Sequence, residues 1–215
     1  YLFPTSNSFV GLDLGRWKGA AHAHSHQEGE GEEEHEHHVQ VPGFDDDILS
    51  ARLRASRPVS ESSELEVGLS GLAGRGNREA HVEGEEEHVV VRDDISLLGL
   101  DVTYRNWPGA HQRTLLQGEL YRYRRAGENR WGYYIFGDYK WSKYWNAGLR
   151  YDWSEKPFPH HDRDSGISAI VTRNLTETTR LRLQYTCADR AGLGRVHEGY
   201  LQAVWGIGPH SHPLE

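Results

Sequence analysis

The chain has 215 residues, 36% of them apolar, with 24 Gly, 7 Trp, 11 Tyr, no Met and a single Cys. Its aromatic content of 11% argues against a disordered chain, which would be poor in aromatics. No stretch approaches the ~18 consecutive apolar residues of a transmembrane helix, although a membrane β-barrel needs only alternation. The formal net charge of −8 is concentrated in two segments: residues 18–47 carry a net −8 and residues 74–94 a net −4, so the remainder is basic by +4. No clustered basic face offers itself to nucleic acid, and the lone Cys187 excludes a disulfide framework or a Cys-rich metal site.

Taken in chain order, alternation of apolar and polar residues predicts ten strands, at about 8–17, 47–57, 62–73, 94–106, 112–125, 130–141, 144–153, 165–175, 178–187 and 196–207. In the second, Leu49, Ala51, Leu53 and Ala55 alternate with Ser50, Arg52, Arg54 and Ser56. The seventh sets Trp145, Ala147, Leu149, Tyr151 and Trp153 on one face and Asn146, Gly148, Arg150 and Asp152 on the other. The ninth alternates Leu181, Leu183, Tyr185 and Cys187 with Arg180, Arg182, Gln184 and Thr186. Most of these strands exceed the ~5–6 residues usual in soluble sheets and match the ~9–11 that a tilted strand needs to cross a bilayer.

Short connections (58–61, 107–111, 142–143, 176–177) alternate with a second set (18–46, 74–93, 126–129, 156–164, 188–195), most of them longer. Short turns at one end and long loops at the other are the pattern of an antiparallel up-and-down transmembrane β-barrel. The expected architecture is therefore all-β, a single barrel domain over residues 1–213, with residues 214–215 read as a cloning scar. The lack of Met predicts a processed or truncated N-terminus. In this frame Leu149, Tyr151, Leu181, Leu183, Leu201 and Trp205 face lipid, while Arg150, Arg180 and Arg182 point inward. A soluble β-sandwich is the competing architecture; it does not account for so many Trp, Tyr and Leu on the outward faces.

The two acidic segments hold eight of the 14 histidines. His22, His24 and His26 alternate along an extended stretch, and His35, His37 and His38 follow the acidic run. His81 and His88 bracket Glu83, Glu85, Glu86 and Glu87 in the second segment. Imidazole nitrogen with carboxylate oxygen suits Zn²⁺, and also Ni²⁺ or Cu²⁺. These eight histidines are the candidate metal ligands, and zinc the expected ion. Asp162, Asp164, His160 and His161 invite comparison with outer-membrane proteases, but no accompanying motif supports catalysis, no nucleophile elbow is present, and a non-enzymatic protein is expected. Carboxylates of the polar faces, Glu64, Glu66, Glu119, Asp138 and Asp152, offer themselves to ions passing inward.

Leu115-Leu116-Gln117-Gly118-Glu119, Gly148-Leu149-Arg150-Tyr151-Asp152-Trp153-Ser154-Glu155, Arg180 to Tyr185 and Leu201 to Pro213, with its Gly208-Pro209-His210-Ser211-His212-Pro213 ending, carry a resemblance. Residues 95–213 resemble the C-terminal part of bacterial zinc-regulated, TonB-dependent-receptor-like outer-membrane β-barrels. The resemblance implies transport or metal capture in the outer membrane of a Gram-negative bacterium. Its members are usually longer before the first strand and end in an aromatic residue resembling the signal read by the barrel-assembly machinery; here Leu214-Glu215 stands in that place. The expected partners are thus the lipid bilayer, divalent metal ions and, during biogenesis, that machinery. The alternative function is a porin-like or structural barrel whose charged loops only shield the surface.

Overall fold

The computed structural model describes residues 2–5, 8–18, 44, 46–81, 88–156, 162–176 and 178–206; for residues 2–5, 78–81 and 88–90 it describes the backbone alone. These residues form one antiparallel sheet in which each strand is hydrogen-bonded to its neighbours in sequence. The strands are β1 (Leu2–Thr5), β2 (Ser8–Lys18), β3 (Asp47–Ser60), β4 (Ser63–His81), β5 (His88–Gly109), β6 (Gln112–Arg125), β7 (Glu128–Lys140), β8 (Trp145–Glu155), β9 (Arg163–Asn174), β10 (Thr179–Arg190) and β11 (Gly194–Trp205). The ten strands expected from alternation are β2 to β11. β1, four residues paired to Ser8–Gly11, is too short to show a period and was not legible in the sequence.

The register fixes which side chains share a face, because opposed residues of an antiparallel pair point the same way. From β6 to β11 one rung runs Gln117, Phe136, Arg150, Ser168, Thr186, Glu198. The adjacent rung of the opposite face runs Gly118, Ile135, Tyr151, Ile167, Cys187, His197. Polar and charged residues thus collect on one face of the sheet, and Leu, Ile, Val, Trp and Tyr on the other. The sorting follows the expected alternation: Leu149, Tyr151, Leu181, Leu183, Leu201 and Trp205 lie on the apolar face, with Arg150, Arg180 and Arg182 opposite.

Burial is inverted relative to a soluble protein. The apolar face is exposed, Leu149 by 65%, Leu183 by 59% and Leu201 by 77%. Buried side chains are chiefly polar, including Asp93, Thr103, Arg125, Asp138, Asn146, Ser168 and Thr172, against Ile95, Ile170 and Ala188. Soluble folds bury the apolar face against a second layer. Among the described residues there is no second layer: the backbone of every strand lies only against its sequence neighbours. The sheet is accordingly stabilised by its ladders and by the polar face, not by an apolar core.

The meander places the connections after β2, β4, β6, β8 and β10 at one end of the sheet and those after β3, β5, β7 and β9 at the other. Both acidic segments leave from the first end, at Lys18 and Asp47 and at His81 and His88, and β11 finishes at the opposite end in Trp205. The tightest connection at the first end is the two-residue turn from β6 to β7. Ala126 (φ 50°) and Gly127 (φ 81°) both adopt positive φ, the requirement of the type I′ turn that matches strand twist.

Two differences from the sequence reading stand out. The segment 74–93, expected as a loop, is largely strand: β4 runs to His81 and β5 begins at His88, paired rung by rung throughout. Gly74, Arg75, Gly76 and Asn77 hide the apolar period, but the backbone pairing continues regardless of side chain. The second difference concerns closure. β11 pairs with β10, and the other edge is β1, so among the described residues the sheet is an open meander.

Candidate functional site

Two regions concentrate chemistry: the polar face, and the end from which the acidic segments leave. On the polar face, opposite charges pair across strands. Arg52 of β3 reaches over β4 to Asp101 of β5, at 2.6 Å. Gly68 makes the crossing possible, since a Cβ there would sit 1.8 Å from Asp101 Oδ2. Arg105 holds Glu66 at 3.3 Å and Glu64 at 3.9 Å. Ser56 donates to Glu64. Arg113 donates to Asp138 at 3.3 Å, Asn146 donates to the other oxygen of Asp138 at 2.7 Å, and Asn174 donates to Asn146. This chain crosses four strands, from β6 to β9.

Further along the same face Arg150 pairs with Asp152 at 2.6 Å and lies 4.1 Å from the Tyr134 ring centre. Glu119 has the hydroxyls of Tyr121 and Tyr134 beside it. Arg190 donates to both oxygens of Glu198, at 2.8 and 3.0 Å. Against β6 to β11 lies an open cavity of about 1000 Å³, lined by Gln117, Tyr121, Tyr134, Arg150, Asp152, Ser168, Thr172, Arg182 and Gln184, among others. Glu64, Glu66, Asp138 and Asp152 are each held by an arginine, so a divalent ion would have to displace an ion pair to bind them. That opposite charges of the polar face can pair follows from the alternation itself; which arginine holds which carboxylate does not, because the partners Arg105, Arg113 and Arg150 are set by register.

At the end bearing the acidic segments, the β4–β5 hairpin projects beyond its neighbours. The last β5–β6 rung is Ile95 with Arg125, and the last β3–β4 rung is Leu49 with Ala73. The hairpin continues seven residues further, to the His81–His88 rung, an arm of about 24 Å at ~3.4 Å per residue. Ion pairs between side chains gather around its base. Arg125, 3% exposed, pairs with Asp93 at 3.2 Å and donates to the Asn77 carbonyl at 2.9 Å. Arg75 pairs with Asp94, Arg92 with Asp46 and Arg16 with Asp47. Asp46 also accepts from its neighbour's backbone N–H, and this bond, reinforced by Arg92 and Arg75, holds its carboxyl below the usual carboxylate range.

The candidate metal ligands divide sharply. His22, His24, His26, His35, His37 and His38 lie outside the described residues. His81 and His88 are brought together as directly opposed partners on the last rung of the arm, a juxtaposition their separation of seven positions did not reveal. Among the described residues, no group of three or more His, Cys, Asp or Glu is arranged to hold a metal ion. Of the residues considered for catalysis, His160 and His161 also lie outside the described residues, and Asp164 accepts a hydrogen bond from the Ala191 backbone at 2.8 Å. No protein-family model matches the chain, and no curated protein matches it.

Proposed function

We propose that the chain forms a membrane-spanning β-barrel wall of the bacterial outer membrane, and that its acidic, His-rich outer segments capture divalent metal, principally zinc. The observation that carries the membrane reading is the inverted sheet: large apolar side chains exposed on one face, ion-paired polar groups on the other. Water penalises such a face, whereas hydrocarbon accepts it, and the alternation of apolar-out and polar-in is that of outer-membrane barrels. On β8 the apolar run from Trp145 to Trp153 covers about 26 Å of strand at ~3.3 Å per residue, enough for a tilted crossing. Trp131 and Trp153 lie toward one end of the sheet and Trp145 and Trp205 toward the other, where aromatic belts meet the lipid headgroups.

The metal reading is supported by composition and topology together. The strand ends flanking both acidic segments lie at the same end of the sheet, so their negative charge adds and raises the local cation concentration. Histidines then supply selectivity for borderline metals over Ca²⁺ and Mg²⁺. The test is calorimetric titration of Zn²⁺ into the folded protein in detergent, against a variant lacking residues 20–41. Loss of most of the binding in the variant supports capture by the outer segments. Equal binding by both removes the first segment from the account.

A further inference from the structure

On the polar face the rung that crosses β6 to β11 through Arg182 carries Arg113, Lys140, Asn146, Thr172, Arg182 and Gln202. It contains three cations and no carboxylate. Arg113 is neutralised by Asp138 from the adjoining rung, which leaves the β9–β11 end of the stripe positive. Arg180, two residues before Arg182 on the same face, adds a further charge about 7 Å away.

Thr172 and Arg182 are direct cross-strand partners, and both line the cavity. Thr172 is only 2% exposed, yet its hydroxyl has no hydrogen-bond partner among the described residues. The Nε of Arg182 is likewise buried and without a partner, a condition it shares with Arg52, Arg54, Arg113, Arg122, Arg130 and Arg190, so it is the unpartnered Thr172 hydroxyl beside an unneutralised arginine that sets this rung apart. Unsatisfied buried polar groups are costly, and a bound ion or water is one way in which such a group is completed. A guanidinium beside a hydroxyl offers donors in the geometry that carboxylate and phosphate oxygens accept. Of the four carboxylates along the cavity, Asp138, Asp152 and Glu198 are paired with Arg113, Arg150 and Arg190, and Asp164, which accepts from the Ala191 backbone N–H, lies eight residues from Thr172 along β9.

We infer that Arg182 and Thr172 form a binding site for a small oxyanion, a phosphate or carboxylate group, on the polar face between β9 and β10. Arg180 extends the site toward the end at which β11 finishes. The cavity admits a solute larger than a bare ion, so the ligand class is a small solute carrying such a group. This site is separate from metal capture by the outer segments and opposite in charge preference.

The test is calorimetric titration with inorganic phosphate, using the full chain folded in detergent. Heat-modifiable gel mobility and vesicle insertion are recorded on the same samples, so a failure of the membrane reading is seen separately from a failure of the anion site. Arg182→Gln is expected to weaken phosphate binding by at least about tenfold, as loss of a charge-assisted donor implies. Thr172→Val, which preserves shape, is expected to weaken it about threefold to tenfold. Arg57→Gln, on the exposed opposite face, should leave it unchanged. Absence of saturable phosphate binding by the folded protein overturns the site. So does binding that Arg182→Gln and Thr172→Val leave intact, or a signal that falls equally in Arg57→Gln.

Discussion

Gly68 and Leu183 show how the two faces impose opposite rules on single residues. At Gly68 the polar face needs an empty position, because the Arg52–Asp101 pair spans the strand there. Gly68→Ala should force that pair apart and destabilise the folded state by about 1–3 kcal/mol, the ordinary cost of overpacking. Gly71→Ala is the control, since its Cβ would meet Leu98 at an ordinary 3.4 Å. Urea unfolding monitored by tryptophan fluorescence in detergent compares the two. At Leu183 the rule is lipid solvation. Leu183→Arg near the bilayer midplane should cost about 2–4 kcal/mol in reversible unfolding from vesicles. An equal change at Gln184, on the polar face, need not follow depth.

At the scale of elements, the strands were legible wherever one face is uninterruptedly apolar. β8 and β10 alternate over their whole length, and their structural bounds differ from the sequence expectation by one to three residues. The projecting half of the β4–β5 hairpin was not legible, because Gly74, Gly76 and Asn77 carry no apolar period and pairing there rests on the backbone. Its anchor, Arg125 with Asp93, joins residues 32 positions apart, and nothing in local spacing announces it. Arg125→Gln strips Asp93 of its guanidinium partner at a buried position, an effect of about 3–5 kcal/mol when such a pair is broken. The expected readout is hydrogen exchange: amides of residues 76–81 and 88–93 should lose protection while those of β8 to β10 keep theirs. Uniform loss of protection across the sheet would assign Arg125 to global stability instead.

The molecule as a whole joins an inverted sheet to charged segments leaving one end of it. The face assignment was readable from period two alone, but the state of the polar face was not, because ion pairing depends on register across strands. The candidate ligands His22 to His38 lie outside the described residues, so for them the sequence pattern remains the source, whereas the His81–His88 opposition came from the fold. If imidazoles ligate, protons compete with the metal, and Zn²⁺ affinity should fall steeply between about pH 7 and pH 5.5, across the ordinary His pKa near 6.5. Carboxylate capture alone should hold through that range, since free Asp and Glu titrate near ~4. Replacing His22, His24, His26, His35, His37 and His38 together by Gln should abolish the pH-sensitive part of the isotherm. An isotherm unchanged by pH and by that replacement favours the surface-shielding reading of these segments.

The central claim, that the apolar face of this sheet is solvated by lipid, is tested most directly along β10. Its lone native thiol, Cys187, lies half-buried on the apolar face, so Cys187→Ser gives a background for single cysteines at positions 181 to 185. Each is labelled with an environment-sensitive fluorophore, and quenching by brominated lipid is measured after insertion into vesicles. The account predicts strong quenching at 181, 183 and 185 and little at 182 and 184, where an aqueous quencher should act instead. Aqueous quenching at all five positions, with no alternation, would contradict it.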